Sequence, residues 1–307
     1  MDPSTLIIFH RSCADGYTSA WVVATHGHTR GLGPHYQLLS AQYGDSPPAR
    51  EEVEDRDVVI VDFSYKHDEL VEIAEHAKSL IVLDHHKTAA DEVKALDFVT
   101  FDNDRSGAML AWDHFVTETV EQDPWTEHVI GADLVRYVQD RDLWTWELPD
   151  SKAVSAALTL VPMKLGAWTD FARRMSYEEG KKAVIKQGRT IQDFQNLWAE
   201  QKAKQAITRT IRGHEVPVVN LAVKLQSEVG HTLCDDPENP VPFAASFFMT
   251  QDEDGDEVAI FSLRSTDAGE DVGAIAKTFE HKGRTGGGHR NAAGFSVPLS
   301  ALFEGLK

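Results

Sequence analysis

Cysteine is scarce in this chain of 307 residues: there are two, Cys13 and Cys234. They lie far apart in sequence, which argues against a disulfide scaffold. Long apolar runs are missing as well. No stretch reaches 18 consecutive apolar residues, and the first residues lack a basic region followed by a long apolar segment. Neither a membrane span nor a signal peptide is therefore expected, and the chain reads as soluble and cytoplasmic. Positive charge is the third shortage, with 30 Lys and Arg against 49 Asp and Glu, a net charge of −19. Proteins that wrap duplex nucleic acid gain affinity by pairing basic side chains with phosphates, so long duplexes are excluded as partners. A small anion held at one local site is not excluded. Part of the acidity is solubilising: "QDEDGDE" at 251–257 reads as a hairpin turn and lacks the spacing of a calcium-binding loop.

What the chain does have is ordered. "LIIF" (6–9), "DVVIVDF" (57–63) and "SLIVLDH" (79–85) are nearly continuous apolar runs, as in central strands of a parallel sheet covered on both faces. Between them, "GYTSAWVVATHG" and "KHDELVEIAEHAK" carry helical periodicity, and further helices are expected at 106–116 and 128–139. This is a βαβ series, and the expected fold is α/β with a doubly wound, mostly parallel sheet. From about Tyr177 to Arg212 the pattern is helical and basic, against the overall sign of the chain. After Gly213, "VPVVNLAV", "PFAASFFMT" and "VAIFSLRS" read as strands of a second, smaller α+β domain. The expected organisation is a domain over 1–175, a helical linker over 176–212 and a second domain over 213–307. A chain of this length has ample apolar content for two cores.

Ligands of open parallel sheets bind beyond the carboxyl ends of the strands, so polar residues that end apolar runs are the ones to weigh. They are His10, Cys13 and Asp15 after the first run, Asp62 after the second, and Asp84, His85 and His86 after the third. Singly, a strand-end Asp is an ordinary cap or turn residue. Together these carboxylates and imidazoles converge on one sheet edge, where a divalent cation relieves their repulsion and desolvation. Mixed carboxylate and imidazole donors with little thiolate suit Mn2+, Fe2+ or Zn2+ better than Ca2+.

With "DHH" at 84–86, Asp62 in "VVIVDFS", "ADG" at 14–16 and "GGGHRNAAGF" at 286–295, the sequence resembles the DHH phosphoesterases that carry a DHH-associated C-terminal domain. That family lies in the oligoribonuclease and single-strand exonuclease-like superfamily. The resemblance implies a two-domain hydrolase of phosphodiester or phosphoanhydride bonds that uses one or two ions, with Mn2+ favoured and Mg2+, Fe2+ or Zn2+ as substitutes. It implies Asp15, Asp62 and His85 as metal ligands, Asp84 as a supporting carboxylate and His86 as a residue facing the substrate phosphate. A fourth motif should add one Asp. "YVQDRDLW" at 137–144 points to Asp140, with Asp142 in reserve and Asp133 a weaker third choice.

The first motif departs from the family pattern. With Asp15 aligned on the second Asp of the motif, Cys13 stands where the first belongs, and His10 is one residue nearer than it should be. Either His10 and Cys13 hold a softer ion, or only the ion held by Asp15, Asp62, His85 and Asp140 is retained at full strength. In the second domain, Gly286, Gly287, Gly288, His289 and Arg290, with Arg264 at a strand end, are expected to bind the far end of the substrate as an anion pocket. The expected activity is hydrolysis of a short oligonucleotide, a dinucleotide or a nucleoside bisphosphate by metal-activated water. A pyrophosphate or polyphosphate hydrolase and a catalytically degenerate nucleotide-binding regulator are the competing readings. A homodimer is compatible with all three.

Overall fold

The apolar runs form parallel strands. The computed structural model describes residues 4–43, 45–86, 93–117, 130–221, 225–252, 254–302 and 304. It divides into two units, Met1–Gln192 and Asp193–Lys307. The division falls within one long helix, Glu178–Ala203.

In the first unit, β1 (Thr5–His10), α1 (Ala14–His26), β2 (Tyr36–Ala41), α2 (Arg50–Val53), β3 (Asp57–Val61), α3 (His67–His76), β4 (Ser79–Asp84) and β5 (Val99–Phe101) follow in order. Then come α4 (Gly107–Trp112), α5 (Ala132–Asp142), α6 (Ser151–Leu158), α7 (Leu165–Met175) and the start of α8 (Glu178–Ala203). Of the helix expected at 128–139, residues 128–129 lie outside the described residues, and α5 begins at Ala132 and runs to Asp142. The sheet has the order β2-β1-β3-β4-β5, and every neighbouring pair is parallel. Because side chains alternate across a strand, Leu6, Ile8, Val58, Ile60 and Val82 enter one core with Val53, Leu70 and Ile73. Ile7, Phe9, Val59, Val61 and Leu83 enter the other with α1, α4, α5 and α7. Both faces are thus covered, which is why these strands read as continuous rather than alternating apolar runs.

Strand order reverses between β1 and β3: the chain leaves β1 toward β2 and returns on its other side. Crossovers on opposite faces leave a crevice at the carboxyl ends of those two strands, where α/β sheets bind their ligands.

The second unit contains β6 (Ile207–Ile211), β7 (His214–Asn220), α9 (Gln226–Cys234), β8 (Ala244–Gln251), β9 (Glu257–Arg264), α10 (Val272–Lys277), the short pair β10 (Glu280–His281) and β11 (Arg284–Thr285), β12 (Gly287–His289) and β13 (Ala292–Pro298). Its six-stranded sheet runs β12-β13-β9-β8-β7-β6, with β7 and β8 parallel and the other pairs antiparallel. Phe243, Phe261, Phe279 and Phe295 dominate its core, and the rings of Phe279 and Phe295 stack at 3.8 Å. This is the smaller α+β unit expected from the sequence. Among the described residues, no helix is long and apolar enough to cross a membrane.

Candidate metal centre

The crevice at the switch point is built from glycines as much as from acids. His10 ends β1 and α1 starts four residues later, so the helix must turn back tightly over the strand. A Cβ on Gly16 would stand 2.5 Å from the His10 carbonyl oxygen, which leaves only glycine at that position. The turn buries Asp15 in the first turn of α1. Its carboxylate accepts hydrogen bonds from the backbone N–H groups of Gly107 (2.6 Å) and Ala108 (3.0 Å) at the start of α4. Helix α4 can come this close because residue 107 has no side chain: a Cβ there would lie 2.5 Å from Asp62 Cβ and 3.0 Å from Asp15 Oδ2.

Asp62 follows β3 with φ of +55°, a left-handed conformation that costs a non-glycine residue on the order of 1 kcal/mol or more. That backbone turns its carboxylate toward the strand end of β4. His85 Nε2 lies 3.0 Å from Asp62 Oδ1, 3.7 Å from Asp15 Oδ2 and 3.6 Å from Asp142 Oδ2. One imidazole therefore faces three carboxylates, all but Asp142 nearly devoid of solvent contact. Burial alone would lower the His85 pKa, but the hydrogen bond to Asp62 and the charges of Asp142, Asp62 and Asp15 raise it to about 10. Asp15 is pushed well above the usual carboxylate range by burial and by the charges of Asp62 and Asp142. Burial also pushes Asp62 up, yet its contacts with His10, His85 and His86 hold it well below that range. Neighbouring carboxylates with opposed shifts are the signature of a charge cluster tuned by its surroundings rather than of an ordinary ion pair.

Asp84 holds the turn after β4 together. Its Oδ1 accepts from the backbone N–H of His85 (2.8 Å) and of His86 (3.2 Å) and lies 2.8 Å from His86 Nδ1. Tyr43, which no sequence motif marks, donates its hydroxyl to Asp84 Oδ2 (3.2 Å). Its ring packs beside His10, His86 and Phe63. The supporting carboxylate thus steadies the His86 ring and both backbone amides, while the His85 ring is held by Asp62. Burial lowers the His86 pKa, but Asp84 more than offsets this and raises it.

The structure engages Asp140, the fourth-motif choice, outside the cluster. Asp140 Oδ1 accepts from the Thr145 hydroxyl (2.7 Å) and the Glu147 N–H (2.7 Å), and Oδ2 from the Leu148 N–H (3.3 Å). Its carboxylate is spent on pinning the loop 145–148. Burial opposes its ionisation, but Ser151, Thr145 and these amides hold its carboxyl below the usual range. Asp142, the reserve, is the one whose Oδ2 meets the cluster. Residues two apart on α5 point about 200° apart: Asp142 follows Val138 by four residues and reaches the cluster, whereas Asp140, itself buried, follows Tyr137 by three and turns to the loop. Asp133 pairs with Lys181 instead, at 3.1 Å.

His10 and Cys13 close the crevice on its other side. His10 Nδ1 lies 3.5 Å from Asp62 Oδ2, and His10, Cys13 and Asp62 offer ligand atoms within 4.8 Å of one another. Asp15, Asp62 and His85 form a second such group. Burial, followed by the charges of Asp62, Asp142 and Asp15, pushes the Cys13 thiol well up. Among the described residues, His10 Nδ1, Asp62 Oδ2 and Asp142 Oδ2 are all buried without a hydrogen-bond partner. Orphaned carboxylate oxygens and an orphaned imidazole nitrogen aimed into one acidic pocket are what a divalent cation site requires, so the residues present fit a metal ion.

In the second unit, Arg264 ends β9. It donates from Nη2 to Ser227 Oγ (2.9 Å) and from Nη1 to the Leu263 carbonyl (2.7 Å), with Gly230 of α9 packed against its stem. Gly286 and Gly288 are required by packing: a Cβ would meet the Ala276 carbonyl at 2.4 Å and the Ala292 carbonyl at 2.5 Å, respectively. Gly287 has open space at that position. Half-buried His289 ends β12, and Arg290 Nη2 donates to the carbonyls of Asp267 and Gly269, both at 3.0 Å. Sequence reading misses Gly107, Tyr43 and the carboxylate-holding start of α4. For α4 a local signal exists, since Ser106 caps the helix through its side chain, accepting from the Met109 N–H at 3.3 Å.

Residues 215–307 match the DHHA1 domain family. The whole chain aligns, at 26% identity, with 69% of the uncharacterized protein R106 of Acanthamoeba polyphaga mimivirus. Among solved structures, RecJ from Thermus thermophilus in complex with Mn2+ superposes with a TM-score of 0.57 at 17% identity, covering 98% of this chain and 50% of that one. The chain thus spans about half the length of that RecJ. An exopolyphosphatase-related protein from Bacteroides fragilis superposes with a TM-score of 0.51 at 14% identity, covering 96% of this chain and 86% of that one.

Proposed function

We propose, from the DHHA1 match over residues 215–307 and the fold shared with RecJ, that the chain is a metal-dependent phosphoesterase of the DHH family acting on short nucleotides. The observation that carries this reading is the set of carboxylates, buried Asp15 and Asp62 and half-buried Asp142, gathered around His85 Nε2 beside polar atoms that find no hydrogen-bond partner among the described residues. Asp15, Asp62, His85 and Asp142 would hold the ion. When bound, it would polarise a phosphoryl oxygen and bring the pKa of a water toward neutrality.

The remaining work falls to the protein. The amides of Gly107 and Ala108 fix both oxygens of Asp15, so its carboxylate is oriented before any ion arrives. Asp84 holds His86 Nδ1 and favours the imidazolium, whose Nε2 proton would be given to a phosphoryl or leaving-group oxygen as charge develops there. Tyr43 shields the far side of Asp84 and packs its ring against His86, limiting the ring's freedom.

A short nucleotide is favoured over a long strand because the chain is acidic, at −19 overall, and long single strands need an extended basic groove with stacking aromatics. Within the second unit, Arg264, Gly287 and His289 would offer donors to a phosphate group. The activity is tested by incubating labelled dinucleotide with Mn2+ and following mononucleotide release, with inorganic polyphosphate in parallel. Release from the dinucleotide supports the proposal. Release of phosphate from polyphosphate alone makes the chain a phosphoanhydride hydrolase, and binding without turnover under any divalent ion makes it a regulator.

A further inference from the structure

The two halves of the crevice offer chemically different donors, and Asp62 belongs to both. Its Oδ1 is engaged by His85 Nε2 at 3.0 Å. Among the described residues its Oδ2 finds no hydrogen-bond partner and turns to His10 Nδ1, 3.5 Å away, which finds none either. Asp62 is 1% exposed, so that second oxygen is a buried acceptor that none of the described residues satisfies within hydrogen-bond distance. Cys13 Sγ completes the triangle, with all three ligand atoms within 4.8 Å. On one side of Asp62 the donors are thus a thiol sulfur and an imidazole nitrogen. On the other they are the carboxylates of Asp15 and Asp142 with His85.

We propose that the centre is chemically asymmetric: His10, Cys13 and Asp62 form a subsite for a thiophilic divalent ion such as Zn2+ or Fe2+, while Asp15, Asp62, His85 and Asp142 take a hard ion such as Mn2+ or Mg2+. Thiolate and imidazole select borderline-soft ions, and carboxylate-rich sets select hard ones. Asp62 turns one carboxylate oxygen to each side and would serve both donor sets. The exchange of carboxylate for thiol at position 13 is then a change of metal preference rather than the loss of a site. This inference rests on the metal-dependent reading above for its second ion, but its readout is metal identity and sulfur ligation rather than turnover.

The test starts from metal-free full-length protein titrated with Co2+ and followed by near-ultraviolet absorption. Wild type should develop a sulfur-to-cobalt charge-transfer band that saturates at one ion per chain. Cys13→Ser should lack the band, and Cys234→Ser should keep it, because that thiol lies in the second unit and donates to the Arg264 carbonyl. After dialysis against equimolar Zn2+ and Mn2+, mass spectrometry should find both metals in wild type, one of each per chain, and only Mn2+ in Cys13→Asp. Absence of the band in wild type, or identical metal contents in wild type and Cys13→Asp, overturns the proposal. If wild type then still holds Mn2+, the phosphoesterase reading survives alone; if it holds no metal at all, both fall.

Discussion

The glycine at 107 is the most exposed weakness of the centre to a single methyl group. Replacing it with alanine would place a Cβ 2.5 Å from Asp62 Cβ, 2.9 Å from Asp62 Cα and 3.0 Å from Asp15 Oδ2. Carbon atoms rest at roughly 3.5–4.0 Å, so about an ångström must be found. Little can yield. Asp62 is held at φ of +55° at the end of a fully buried strand, and Asp15 is held by the very amides that α4 would have to withdraw. Overpacking of this kind costs about 1–3 kcal/mol, or a fall in Tm of roughly 2–12 °C for a unit of this size. Because the methyl group displaces the supports of two ligands, Mn2+ affinity should also fall by about 10–100-fold. The control is the same chemical change at Gly166, which lies in the first turn of α7 with open space around its Cβ position. Gly166→Ala should leave Mn2+ affinity unchanged and stability unchanged or raised by up to about 1 kcal/mol, since alanine is the better helix former. Differential scanning calorimetry with chelator and titration calorimetry with Mn2+ measure both. Equal behaviour of Gly107→Ala and Gly166→Ala would refute the close packing of α4 on the two carboxylates.

Other substitutions separate holding a metal from holding the fold. Asp142→Asn should weaken Mn2+ binding strongly with little loss of stability. Asp140→Asn should keep Mn2+ binding near wild type while losing about 1–3 kcal/mol in denaturant titrations, because three donors in the loop 145–148 lose a charged acceptor. The Asp140 carboxyl is held below its ordinary value, so its stabilisation is complete above an unfolded pKa near ~3.9 and is lost as pH falls through the lower folded value. Acid unfolding of Asp140→Asn should accordingly lose that limb of the pH profile, and an unchanged limb would remove Asp140 from its assigned role. Metal binding should release protons: with His85 at about 10 in the metal-free cluster, its imidazole is charged at neutral pH and must give up that proton to bind. Calorimetry in buffers of differing ionisation enthalpy should report proton release and an affinity that weakens as pH falls; a pH-independent affinity would remove His85 from the ligand set.

The sheet and its acidic edge are legible in the sequence because both depend on short-range pattern. β1, β3 and β4 are buried on both faces and so appear as unbroken runs, and the polar residues that end them must face the carboxyl edge. The two flanking strands leave a fainter trace: β2 is only half-buried along most of its length, and β5 has three residues. Asp140 and Asp142 are not separated by the apolar pattern of α5, which buries Leu134, Val135, Tyr137, Val138 and Asp140 itself; the contacts of Asp140 with Thr145, Glu147 and Leu148 and of Asp142 with His85 separate them. Gly107 is invisible for a different reason. Its necessity comes from Asp15 and Asp62, 92 and 45 residues away, and no local pattern carries a constraint of that range. The glycine run at 286–288 shows the converse: two of its three glycines are required by neighbouring carbonyls, so the run is explained in part by packing before any phosphate is considered.

The central claim is that a divalent ion sits among Asp15, Asp62, His85 and Asp142. An anomalous-difference map from crystals grown with Mn2+ addresses it most directly. The account requires a peak bonded to those four side chains, with Asp140 still turned to its loop. A peak coordinated by Asp140, or Mn2+ bound only at sites remote from Asp62, would contradict it.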